Sequence, residues 1–243
     1  MAFRGDPATY FHVLAPGTKP ALVPQLGPSF ASPYLLRSAV GIRAILGTEL
    51  TPLAIKALLV HAADPAGHDK LEVGWGKVPV DIMSIITCPD GVARVVYQGE
   101  LKPSKYLRAT LPLPTGGLSG NVRLKATFCY ASRTDPQDAA AYTRAGLEVV
   151  FRPNDEKVKD GKANADTKGF FDMKKYATEQ ERRSDRGKWE TVLHGEKTFR
   201  GSSLKNPVFD IHYNAREAGG RATGAEKIRY ALIISVEALK HAD

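Results

Sequence analysis

Two cysteines in 243 residues, Cys88 and Cys129, are too few for a disulfide scaffold, and no Cys-x-x-Cys spacing suggests a metal ligand set. A single bridge between them stays open at this level. No stretch approaches the ~18 consecutive apolar residues that cross a bilayer as a helix, so no membrane partner is expected. The opening Met-Ala-Phe-Arg-Gly-Asp has no apolar run of the signal-peptide kind, and the compartment is left undetermined. His68, His194, His212 and His241 have no ligand-like spacing and read as ordinary surface or interface residues. Tracts of five or six like charges are also missing. Lys and Arg number 34 against 26 Asp and Glu, a formal +8, but the signs are interspersed. A solvated surface explains that pattern better than a nucleic-acid partner, which would call for a continuous basic face.

What is present is 43% hydrophobic residues, enough for a globular chain of two compact units. Over residues 30–46 the apolar positions cover nearly every side of a helix, which predicts one buried all round. Gly47 ends it. Thr51-Pro52 opens a second helix to about Ala63, with a side-chain oxygen to cap free N–H groups and a proline at the first position. A loop over 64–67, a tight backbone approach at Gly74-Trp75-Gly76 and a short helix or extended run over 78–86 follow.

After Cys88-Pro89-Asp90-Gly91 the apolar period changes from helical to alternating. Residues 121–131 carry Val122, Leu124, Ala126, Phe128 and Tyr130 on one face and Arg123, Lys125 and Thr127 on the other. Further strands are predicted over 92–98, 106–111, 146–152, 188–193, 208–213 and 228–237, which together suggest an antiparallel sandwich over residues 89–243. A polar insertion over 153–187, with a helix near 174–183, is anchored by Phe170-Phe171. Gly219-Gly220 and Gly224 read as a hairpin turn, and Trp75 and Trp189 as packing residues.

One segment carries chemistry. A serine nucleophile needs an exposed, rigid hydroxyl beside backbone N–H groups that can stabilise an oxyanion, and the start of an apolar helix supplies both the free N–H groups and a positive dipole end. Gly27-Pro28-Ser29-Phe30-Ala31-Ser32-Pro33 has that layout: Gly27 allows close substrate approach, and Pro33 is expected in the first turn, where no N–H is needed. The bland alternative is a hydroxyl residue that merely caps a helix.

The same residues resemble the Gly-Thr-Ser-x-Ala-x-Pro nucleophile motif of the subtilisin-like serine proteases, through Gly27, Ser29, Ala31 and Pro33. Ala15-Pro16-Gly17 is similar to the segment that precedes that turn, Leu50-Thr51-Pro52 with Lys56-Ala57-Leu58-Leu59 to the family's next helix, and Gly74-Trp75-Gly76 with Val78 and Asp81 to its closing Gly-x-Gly segment. The resemblance implies an α/β fold for residues 1–88, as the C-terminal part of a three-layer subtilase core, followed by an antiparallel β-sandwich over 89–243. It implies serine endopeptidase activity on a protein or peptide substrate, with Ser29 as nucleophile and its N–H as one oxyanion donor. The family needs no organic cofactor. Calcium commonly supports its fold, but no acidic loop here reads as a calcium site.

Pro28 departs from the family's threonine. Moreover, the family order places the aspartate, the histidine and an oxyanion asparagine before the serine, and only 28 residues precede Ser29. The resemblance therefore implies that these groups lie on sequence outside this chain, and that the chain alone is inactive. His12 and His61 are the histidines with any prospect of reaching Ser29. The competing expectation is an inactive protease remnant that binds a partner protein, a missing N-terminal protease segment or a second copy of itself.

Overall fold

The computed structural model describes residues 10–18, 21–103, 105–134, 143–171, 191–215 and 227–239. A short antiparallel hairpin, β1 (Phe11–Leu14) and β2 (Leu22–Gln25), leads into helices α1 (Pro28–Leu46), α2 (Pro52–Ala62), α3 (Lys70–Val73) and α4 (Ile82–Ile86). Seven strands follow: β3 (Val92–Leu101), β4 (Tyr106–Thr110), β5 (Asn121–Ala131), β6 (Ala145–Arg152), β7 (Val192–Arg200), β8 (Val208–Ala215) and β9 (Ile228–Ala238). They form a four-stranded sheet in the order β3-β9-β5-β7 and a three-stranded sheet in the order β4-β8-β6, both antiparallel.

The two sheets pack face to face across one apolar core. Alternation dictates which residues enter it: Val122, Leu124, Ala126, Phe128 and Tyr130 of β5 all point inward, as the sequence period predicts. Opposite them lie Leu147 and Phe151 of β6 and Phe209 and Ile211 of β8. Phe151 and Phe209 sit 4.7 Å apart by ring centroid, and Phe170 meets Phe209 edge-on at 5.1 Å. The expected anchor of the insertion is thus a pair of core aromatics, Phe170 and Phe171 both being buried. The helix expected near 174–183, Trp189, the glycine turn at 219–224 and His241 lie outside the described residues.

Three sequence expectations are corrected here. β7 runs over Val192–Arg200, seven residues past the expected end at 193, because Gly195 interrupts its apolar alternation, while residues 188–190 of the expected strand lie outside the described residues. A Cβ at Gly195 would stand 3.2 Å from the Phe170 carbonyl oxygen and 3.3 Å from the Phe171 ring, so the aromatic pair packs closely against this glycine. The helix expected to be buried all round is not: in α1 only Ser38 and Ile42 are buried, while Leu35, Leu36, Val40, Ile45 and Leu46 are exposed. Finally, α1 starts at Pro28, so Pro28 takes the first helical position and Pro33 lies a turn further in. There its missing N–H leaves the Ser29 carbonyl without a helical donor.

The outer face of the four-stranded sheet is covered by α2, whose Ala54, Ile55, Ala57 and Leu58 form a second apolar cluster with Cys129, Ala231 and Ile233. Thr51 caps α2 by accepting from the Ala54 N–H at 3.3 Å, as expected from its position before Pro52. Gly76 meets the backbone of Asp64 so closely that a Cβ would stand 2.2 Å from it, which explains the tight approach read at Gly74-Trp75-Gly76. Both cysteines are free thiols, Cys88 exposed and Cys129 buried.

On the outer face of the smaller sheet Asp210 receives Arg108 Nε at 2.8 Å and Arg152 Nε at 2.7 Å, and Arg108 also reaches Asp155 at 2.8 Å. Burial alone would raise the Asp210 pKa, but the two guanidinium hydrogen bonds outweigh it and hold it below the usual carboxylate value. Truncation of the central core aromatic, Phe209→Ala, is expected to lower the unfolding free energy by about 3–5 kcal/mol in urea titrations; a loss under 1 kcal/mol would mean the two sheets do not share this core.

Candidate functional site

Ser29 occupies the second position of α1 and is exposed to solvent. Gly27 stands before the helix at φ 144°, a region that L side chains rarely adopt, and its carbonyl accepts from the Phe30 and Ala31 N–H groups at 3.1 and 3.2 Å. The Ser29 N–H, one residue too early for those bonds, has no acceptor within the helix. The contrast with the other helices is chemical. Thr51 caps α2 and Asp81 caps α4, accepting from Met83 and Ser84, whereas no side chain caps α1. Its positive dipole end and the Ser29 N–H lie beside the Ser29 hydroxyl. Ala31 and Pro33 are exposed on the same turn region.

The hairpin flanks this turn. Phe11 stacks with Phe30 at 6.2 Å and meets Tyr34 edge-on at 5.9 Å. Adjacent strand residues face opposite sides, so His12 lies on the far side of β1 from α1 and is exposed. Among the described residues no hydrogen bond joins a histidine to Ser29, and no cluster of His, Cys, Asp or Glu could hold a metal ion. His61 is committed elsewhere.

That commitment is a buried polar relay that the sequence did not disclose. His61, 2% exposed at the end of α2, places Nδ1 2.9 Å from Thr127 Oγ1 and Nε2 2.8 Å from Ser235 Oγ. Thr127 Oγ1 is also 2.7 Å from His194 Nδ1, and Arg94 Nε donates to Ser235 Oγ at 3.2 Å. Register explains the assembly: Arg94 pairs with Ser235, Ser235 with Lys125, and Thr127 with His194 across neighbouring strands on the face under α2. One direction uses every hydroxyl proton: Arg94 to Ser235, Ser235 to His61 Nε2, His61 Nδ1–H to Thr127, and Thr127 to His194. Both imidazoles must then be neutral. Burial first, then the charges of Lys125 and Arg94, pushes the His61 pKa down to about 2. Burial, Lys125 and Lys70 push His194 down to about 4, and Trp75 closes over its ring at 5.3 Å. His194, expected as an ordinary surface or interface residue, is a member of the relay. With Ser235 and His61 both buried where α2 meets the sheet, this serine–histidine pair braces the fold and is not open to substrate.

Further along α1, from Leu35 to Arg43, its exposed side and the neighbouring side of α2 enclose an apolar groove of about 500 Å³. Leu35, Leu36 and Val40 form one wall, Ile55 and Leu59 the other, and Trp75 closes one side. The charged residues in its lining are Arg43 and Lys56.

No family model matches the chain, and no curated protein matches it. Among solved structures, the VP2 subviral particle of infectious bursal disease virus is similar over 60% of this chain at 10% identity and a TM-score of 0.34; the chain spans 31% of that protein's length.

The relay sets a pH dependence. Because both histidines have depressed pKa values in the folded state, the unfolded chain binds more protons once the pH falls below about 6.5. Stability is therefore intact above that value and declines as pH falls, with a limiting slope of about 1.4 kcal/mol per pH unit for each histidine, His194's share levelling off near pH 4. Urea midpoints measured from pH 7.5 to 4 should fall steeply for the wild-type chain and more shallowly for His61→Gln and His194→Gln. Parallel curves for all three proteins would show that these imidazoles do not titrate on unfolding.

Proposed function

We propose that this chain is the C-terminal portion of a subtilisin-like serine endopeptidase, residues 1–88 belonging to its three-layer α/β core and residues 89–243 forming a β-sandwich. The observation that carries the reading is the solvent-exposed Ser29 hydroxyl at an uncapped helix start that lacks acidic residues. In the intact enzyme Ser29 Oγ attacks the peptide carbonyl while a histidine from polypeptide outside these residues takes the hydroxyl proton. The Ser29 N–H and an asparagine, also from that polypeptide, hold the oxyanion of the tetrahedral intermediate. Collapse expels the amine with the histidine's proton, and water then releases the acyl group from Ser29.

Two further features agree with this reading. Gly27 has a backbone conformation that suits a residue without a side chain next to a bound substrate, and the exposed apolar side of α1 is what an unoccupied core layer would leave behind. Among the described residues neither candidate histidine serves Ser29 as a base, since His12 faces away and His61 is locked in the relay. A second reading, a remnant without activity that serves as an interaction module, is favoured by the groove alone.

A fluorophosphonate probe separates the two. Ser29 should be labelled when the chain is co-expressed with a subtilase segment carrying the aspartate, histidine and asparagine, and Ser29→Ala should abolish the label; the chain alone should react at least ~100-fold more slowly, the loss expected without general-base help. Equal labelling of wild type and Ser29→Ala, or no labelling in either setting, would remove the protease assignment.

A further inference from the structure

The groove between α1 and α2 has a charge signature that selects its occupant. Together the two helices span Pro28–Leu46 and Pro52–Ala62 without one aspartate or glutamate, while Arg37, Arg43 and Lys56 supply cations. Arg43 is held at the rim by the Leu50 and Thr48 carbonyls, and Lys56 makes no ion pair among the described residues. Apolar walls thus meet a purely basic edge. From this we infer that the groove is a docking site for a polypeptide segment with large apolar side chains on one face and carboxylates beside them.

Two other occupants fit less well. A second copy meeting the same surface would set Arg43 and Lys56 against Arg43 and Lys56, a juxtaposition of like charges without a carboxylate to relieve it. An anionic bilayer would satisfy the charges, but interfacial binding uses a convex apolar face, whereas Leu36, Val40, Ile55 and Leu59 enclose a concavity that accepts inserted side chains. Exposed apolar surface of this extent on a basic chain calls for cover, and an acidic amphipathic segment matches it in both shape and sign. The inference stands on the groove and holds whether or not Ser29 is a nucleophile.

The test uses Trp75, which lines the groove, as reporter in a Trp189→Phe background that leaves it the sole tryptophan. Two synthetic amphipathic helical peptides of equal length serve as probes, one of Leu and Glu, the other of Leu and Lys. The Leu/Glu peptide should shift Trp75 emission and bind at least ~10-fold more tightly than the Leu/Lys peptide, about 1.4 kcal/mol. Val40→Asp, at an exposed position, should weaken it by a similar factor with the circular dichroism unchanged, and Lys56→Glu should erase the preference between the peptides. Equal affinity for both peptides, binding of neither, or binding indifferent to Val40→Asp overturns the inference. So does Val40-dependent self-association that shuts out the peptide, or Val40-dependent binding to phosphatidylserine vesicles with none to peptide. Because none of these readouts involves labelling of Ser29, a negative result leaves the protease reading untouched, and the reverse also holds.

Discussion

Everything in this chain depends on a sheet that is buried on both faces. The inner side of β5 and β9 fills the sandwich, and the outer side is covered by α2, so residues 230–236 of β9 are buried in unbroken succession. Covering that outer side traps Thr127 and Ser235 with no access to water, which would cost each hydroxyl a desolvation penalty of about 1–3 kcal/mol if it were unpaired. His61 resolves this from the helix side, since a neutral imidazole offers one donor and one acceptor to the two hydroxyls beneath it. The helical layer is then positioned in sequence: α2 rests on the sheet, and α4 and α1 rest on α2. Gly41 of α1 leaves room for Ile82 of α4, whose Cδ1 would otherwise lie 2.3 Å from a Cβ.

Much of this was legible from residue order because single-face burial imposes a period of two. β5 was read with its correct bounds and facing, and β3, β4, β6, β8 and β9 within a few residues. What failed did so where a second surface intervened. The polar side of β5 reads as solvent-facing, yet Thr127 and Cys129 on it are buried because α2 lies there. A hint was available in Ala-Leu-Ile-Ile-Ser-Val of β9, which is apolar on both faces and so asks for cover on both. β7 was misplaced because Gly195 and Lys197 occupy inward positions, so its pattern breaks where the Phe170-Phe171 pair takes the space that side chains would otherwise fill.

The candidate nucleophile turn was visible because it is local. Gly27, the helix start and the apolar run after Ser29 are all within a few residues of each other, so spacing carries the information. His61, Thr127, His194 and Ser235 are up to 174 residues apart and meet only through strand register, which no local pattern encodes. α1 shows the opposite limit. Its composition predicts burial on all sides, and that expectation requires a neighbour that composition cannot supply.

The same helix links the two features that await partners. α1 is anchored at Ser38, Gly41 and Ile42, in its middle and C-terminal half, whereas its first turns are exposed and are steadied by the Phe11, Phe30 and Tyr34 contacts. Pro33 further removes a hydrogen bond that would tie the Ser29 carbonyl to the next turn. A nucleophile must be held to within a fraction of an ångström, which so lightly braced a helix end does not guarantee. Leu35 and Leu36 lie between the anchor and Ser29, so the segment proposed for the groove would stiffen the span of helix that carries the hydroxyl. If both proposals hold, occupation of the groove and presentation of Ser29 would be coupled through less than four turns of helix.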